Sequence, residues 1–272
     1  MKKKHSLLLF TVCILALFCS GFTYKNVPVT KMLGYLNNNK FDKVEKFLKK
    51  NEEKLKENPD YYVVLLNYSL LKNKEEYIEL TKEPIDEQPH FALTTANTTA
   101  GYITAKNRYD NKSIIGAIRT TQKALNNFNN RLDIHFGIIA VAKETKNTIL
   151  VSEQLSTIIK VSKEIDNQWT WGTIGRMSGS PKQFMLDNIQ FYLLSLYKLN
   201  TKEADTELIK VSTLLIEEYP NLIYGYSNLG NYYMATNDFE QAENYFKKAL
   251  SIKPNDETII YNLKKLKQLK NK

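Results

Sequence analysis

The chain has 272 residues, 43% of them hydrophobic and 25% charged, with only 10 glycines and 7 prolines. This is enough apolar mass for a buried core and too few turn-formers for a β-rich architecture, so an all-α fold is expected. The formal net charge of +9 overstates the folded part, because three lysines lie in a segment expected to be removed, and an exported chain has no nucleic acid to meet.

Residues 1–21 have the makeup of a signal peptide: Lys2, Lys3 and Lys4 at the start, an apolar run of 12 from Leu7 to Phe18, then Cys19-Ser20-Gly21. A run of that length falls short of the roughly 20 apolar residues a membrane-spanning helix needs. Cleavage near Phe22 is therefore expected, with export to the periplasm or the cell exterior. It would leave 35 basic against 29 acidic residues, a net charge of +6. Both cysteines, Cys13 and Cys19, precede that point, so the mature chain has no thiol for a disulfide or a metal. The alternative is that Cys19 is a lipoprotein cysteine, which would tether the chain to a membrane. Phe18 stands where such a cleavage site wants a small residue.

Residues 22–165 read as degenerate helical hairpins starting near Pro28. Lys40-Phe41-Asp42-Lys43-Val44 with Leu48 opens a helix in the manner of Asp238-Phe239-Glu240-Gln241-Ala242 with Phe246, and Asn58-Pro59-Asp60 marks a helix boundary. A further junction, Leu125 to Phe136, sets the turn Asn129-Asn130 between two apolar-periodic segments about 70 residues after Pro59, about two repeat lengths on. Just beyond it, Asp133 is a candidate helix N-cap; an acid–base pair with His135 beside Arg131 is the other option.

From Asn129 to Pro220 is 91 residues, 23 more than two periods of 34. The excess is readable as a loop, 166–182, where helical periodicity gives way to Trp169, Trp171, Gly172, Gly175, Gly179 and Pro181. The two tryptophans either contact a ligand or partner, as long loops often do, or anchor the loop onto the helices. Gly175 to Ser180 lacks the Gly-Lys-Ser/Thr ending of a phosphate loop and follows no strand.

Residues 183–272 carry the clearest periodicity. Helices through Phe191–Leu199 and Leu208–Glu218 end at Pro220, 34 residues before Pro254. In this first pair the positions for small residues hold Leu196, Leu208 and Leu215, so its helices are expected to sit further apart. The second pair reads Tyr226-x2-Leu229-Gly230-x2-Tyr233, then Ala242-x3-Phe246-x2-Ala249 and Pro254. Apolar residues recur at helical intervals on both halves, Gly230 and Ala242 sit where helices would cross, and Asn237-Asp238 makes the turn. A final helix with Ile259, Ile260, Leu263, Leu266 and Leu269 carries a net +4 from Ser251 onward. Those lysines either cap and solubilise the end of an array or attract phosphate or anionic lipid.

The Tyr226 to Pro254 pattern resembles the tetratricopeptide (TPR) repeat, with Tyr226 in place of the usual tryptophan. The resemblance implies a right-handed α-solenoid of antiparallel helix pairs that binds a peptide or protein in its concave face. Tyr224, Ser227, Asn231 and Met234 lie opposite the packing stripe and are expected to line that groove. In some family members an Asn at the place of Asn231 clamps a peptide backbone or carboxylate. The basic companions of such a clamp are not recognisable in the degenerate repeats here.

Outside the targeting segment the only histidines are His90 and His135, and no H-E-x-x-H, G-x-S-x-G or paired metal motif occurs. No catalytic residue, cofactor or metal site is expected. The function expected is a non-enzymatic scaffold at a bacterial cell envelope that binds a protein or peptide through Tyr224, Ser227, Asn231, Met234, Trp169 and Trp171. The alternatives are an assembly lipoprotein without a peptide groove and a helical hydrolase using a carboxylate pair; the oligomeric state stays open.

Overall fold

The computed structural model describes residues 28–84, 90–95, 98–172 and 175–271. The targeting segment and both cysteines lie outside the described residues. The chain divides into two compact units, Phe22–Asn127 and Phe128–Lys272. The division falls at the Asn-rich turn.

The first unit opens with α1 (Val29–Asn37), α2 (Phe41–Leu55) and α3 (Pro59–Lys72). The first two each bury one stripe, Val29, Met32 and Leu36 on α1 and Val44, Leu48 and Leu55 on α2, the spacing that puts residues on one helical face. Asn39 turns the chain between α1 and α2 in the left-handed region at φ 55, which Asn tolerates better than most residues. Asn58 caps α3 by accepting from the Asp60 amide at 3.0 Å, with Pro59 at the first helical position.

The expectation of further helical hairpins here is corrected by a sheet between α3 and the next helix. Strands β1 (Lys74–Thr81), β2 (His90–Thr94) and β3 (Thr99–Tyr109) pair antiparallel in the order β1-β3-β2. Leu80 and Phe91 both face Ile103 across β3, and Ile78 faces Ala105, so one face of the sheet is apolar. Ile78, Leu80, Phe91 and Leu93 on that face are exposed. The Asp110 amide donates to the Asn73 carbonyl at 3.0 Å, closing the excursion where it began. Helix α4 (Asn111–Ala124) then packs against α3 through Ile114, Ala117 and Ile118.

Among its described residues the second unit has helices and one isolated bridge: α5 (Leu132–Glu144), α6 (Thr148–Glu164), α7 (Pro181–Leu199), α8 (Lys202–Glu218), α9 (Tyr224–Ala235), α10 (Phe239–Ile252) and α11 (Glu257–Lys270). The pairs α5–α6, α7–α8 and α9–α10 turn alike. A residue with left-handed backbone, Lys146, Asn200 or Asn237, is followed by a capping side chain, Asn147, Thr201 or Asp238, that accepts from the first turn of the second helix. Helix α8 touches α6, α7 and α9, and α10 touches α9 and α11, so this unit builds a stack of antiparallel helix pairs.

One apolar core runs through α5 to α8, with Leu155, Ile158, Ile159, Met185, Leu186 and Ile189 fully buried. Polar rungs lie alongside it: Thr148 donates to Glu203 and Ser152 to Glu207, both joining α6 to α8, and the Tyr219 hydroxyl meets Ser162 at 2.6 Å and donates to Asn167 at 2.9 Å. A second core holds Ala242, Phe246 and Ala249 of α10 against Ile259 and Leu266 of α11. Lys270 of α11 adds an ion pair to Glu243 of α10 at its edge. Cutting the chain after Pro254 would bare the apolar side of α10. The truncated protein is expected to aggregate at concentrations where the full chain stays monodisperse by light scattering, because terminal repeats have no other neighbour to bury that side.

Candidate interaction face

The geometry of α9 follows from its crossing with α10. A Cβ placed on Gly230 would lie 2.5 and 2.6 Å from two carbons of the Phe246 ring, closer than any Cβ contact allows. Phe246 is fully buried between Ala242 and Ala249, so the glycine is there because the ring occupies the volume of a side chain. This seating turns Leu229 and Gly230 inward and leaves Tyr224, Ser227 and Asn231 on the far side, all half-buried.

Two of these residues bridge to neighbouring helices. The Tyr224 hydroxyl accepts from Gln183 Nε2 of α7 at 2.9 Å, and Asn231 Oδ1 accepts from Asn262 Nδ2 of α11 at 2.9 Å. Met234 leans into the core shared with α11. Tyr224 thus ties the start of α9 to the start of α7, and Asn231 ties α9 to α11. Asn231 does more than face solvent: it supplies the acceptor for Asn262, which is itself buried. Asn231→Ala is expected to cost about 1–3 kcal/mol by stranding that amide, read as a lower urea midpoint; an unchanged midpoint would place the Asn262 amide in contact with water.

The outward stripe of α7 carries side chains that sequence reasoning missed. Phe191 and Leu194 stand exposed, Leu194 at 54%, with Lys143 of α5 5.3 Å above the Phe191 ring. The available signal was that both fall off the Ile189–Leu193–Leu196 stripe that α7 buries. Large apolar side chains side by side on a surface are what interaction faces present.

The loop between α6 and α7 separates its two tryptophans. Trp169 is 3% exposed inside the α5–α8 core, edge-on to the His135 ring at 5.6 Å, and its indole N–H has no acceptor among the described residues. It anchors the loop and is not presented to a partner in this arrangement. Trp171 is half-buried, edge-on to Phe184 at the start of α7. The loop is also stitched to the beginning of α5: the Leu132 amide donates to the Thr170 carbonyl at 3.1 Å, and the Thr170 amide to the Asn130 carbonyl at 2.8 Å.

Asp133 does not cap α5. That helix begins at Arg131 without a side-chain cap, and the Asp133 carboxylate instead takes two hydrogen bonds from the Arg131 guanidinium, each 2.8 Å. Gly172 lies against this pair so closely that a Cβ there would meet Arg131 Nη2 at 2.3 Å. His135 is 1% exposed with both ring nitrogens engaged, and burial pushes its pKa below the ordinary histidine value. The one Asp–His neighbourhood singled out in the sequence is thus a packed structural cluster.

Capped antiparallel pairs, an interlocked small residue and aromatic ring, and a closing amphipathic helix define a helical-repeat protein. Residues 223–256 match the family model for the tetratricopeptide repeat, so the chain carries a C-terminal TPR, spanning α9 and α10 to the start of α11. No curated protein matches the chain. The repeat supports a protein–protein interaction scaffold in general.

Proposed function

We propose that the chain is a non-enzymatic, exported scaffold of a bacterial cell envelope that binds a protein or peptide on the outward face of α7 and α9. The observations that carry this are an exposed apolar stripe on α7, Phe191 and Leu194, and a half-buried polar stripe on α9, Tyr224, Ser227 and Asn231, the two helices being tied at their starts by Gln183 and Tyr224, beside a recognised repeat. Apolar anchors next to hydrogen-bonding groups are the composition of a peptide-binding surface. The absence of catalysis is supported by the cluster at the start of α5, where Asp133 is locked to Arg131 and His135 is committed on both nitrogens. Export rests on Lys2, Lys3, Lys4 and the run from Leu7 to Phe18, and the mature protein is expected to begin at Phe22 by intact mass; a diacylglyceryl group on Cys19 would mean a membrane-tethered form instead.

A second reading, lateral assembly without a peptide groove, is favoured by the exposed apolar face of the sheet. Capture from envelope extract separates the two. Leu194→Asp with Ser227→Arg changes the outward face at exposed or half-exposed positions, whereas Phe91→Asp changes the sheet. Loss of the same captured partner with the first variant and retention with the second supports the helical face; the reverse outcome favours assembly through the sheet.

A further inference from the structure

The start of α5 holds His135 in a buried place that disfavours its charged form. His135 Nε2 lies 2.9 Å from the Asn129 carbonyl, which only accepts, so that nitrogen carries the proton. Nδ1 is then the acceptor, 2.6 Å from the Gln154 side-chain nitrogen of α6. A second proton, on Nδ1, would point an N–H at an N–H unless the Gln154 amide turned over, and the ring is 1% exposed with Trp169 packed edge-on against it. Around the ring, α6 contributes the neutral Gln154 and the loop the neutral Trp169. The charge that acts on it comes from its own helix, the Asp133 carboxylate, which favours protonation but is already paired with Arg131. The Trp169 indole N–H has no acceptor among the described residues. Thr170 joins the segment to the start of α5, its carbonyl accepting from the Leu132 amide and its amide and hydroxyl donating to the Asn130 carbonyl.

We propose that protonation of His135 releases the segment Asn167–Gly172 from the start of α5, an acid-operated change in the loop that precedes α7. The proton comes from water, the imidazolium leaves its buried site by displacing the Trp169 indole, and the helices on either side stay folded. The docked arrangement binds this proton less readily than an exposed histidine does. It is therefore fully populated above the ordinary histidine value of about 6.5 and is lost as the pH falls below it. A protein that crosses from a neutral to an acidic compartment or medium would change the surface at one end of α5 and α7 without unfolding.

Trp169 and Trp171 are the only tryptophans, so the full chain reports the event unlabelled. Acrylamide quenching is followed from pH 8 to pH 4.5, with far-ultraviolet circular dichroism at each point and the carbon-13-labelled histidine ring titrated by NMR. The expected result is the loss of protection of one indole in a single step, at constant helix content, with a midpoint that coincides with the His135 titration. His135→Phe should keep that indole protected throughout. The proposal is overturned if the step survives in His135→Phe, if helix signal falls together with protection, or if no step occurs by pH 4.5. The NMR comparison needs no variant: a His135 midpoint separate from the fluorescence midpoint overturns it even if His135→Phe fails to fold.

Discussion

Gly230→Leu is expected to separate α9 from α10 and lower the stability of the second unit by at least about 3 kcal/mol, the upper end of the range for overpacking. The first carbon of any side chain at this position already falls 2.5 Å from the Phe246 ring, and leucine adds three more. The ring cannot retreat, because Phe246 is fully buried between Ala242, Ala249 and the α11 residues Ile259 and Leu266. Even Gly230→Ala should destabilise, although alanine is the better helix former by about 1 kcal/mol at an unhindered site. Combining it with Phe246→Leu, which trims the ring, should restore part of the loss. Thermal melting by circular dichroism reads all three; a Gly230→Leu protein that melts with the wild type would remove the close crossing from the account.

Trp169→Ala is expected to cost about 3–5 kcal/mol, the range for emptying a buried aromatic site, whereas Trp171→Ala should cost clearly less. Trp169 fills the α5–α8 core, packs on His135 and stands next to Thr170, whose backbone ties the loop to α5. Trp171 stays half-buried beside Phe184. From sequence the two indoles are equivalent, and the expectation that both either anchor or bind is replaced by a division between them. Urea denaturation of the two variants measures the difference, and equal midpoints would mean that the loop is held by its backbone alone.

The C-terminal pair was legible because its determinants are local and repeat at helical spacing: Leu229-Gly230, Ala242, Phe246 and Ala249 state both the inward faces and the crossing. The upstream pair α7–α8 was legible only through its proline period, and its turn shows why it pairs regardless: Asn200 and Thr201 repeat the left-handed residue and cap of Asn237 and Asp238. The sheet was missed because composition averages over the whole chain, while the β-favouring stretches Tyr77-Ile78-Glu79-Leu80 and Tyr102-Ile103-Thr104 are short and lie between helices. Their alternation is real, with Ile78, Leu80 and Ile103 on one face. At the candidate site, the stripe Tyr224–Ser227–Asn231 was visible from spacing, but its ties to Gln183 and Asn262, 41 and 31 residues away, were not. Hydrogen bonds between helices depend on how pairs stack, which no local pattern encodes.

Photo-crosslinking tests the account's core most directly. A benzophenone side chain at Leu194, exposed on the outward stripe of α7, is compared with one at Thr213, exposed on α8, in the native envelope. The expected result is one protein adduct of constant mass at Leu194, identified by mass spectrometry and abolished by Ser227→Arg on the neighbouring helix, with none at Thr213. An adduct at Thr213 alone, or the same Leu194 adduct in the presence of Ser227→Arg, would contradict binding on the face of α7 and α9.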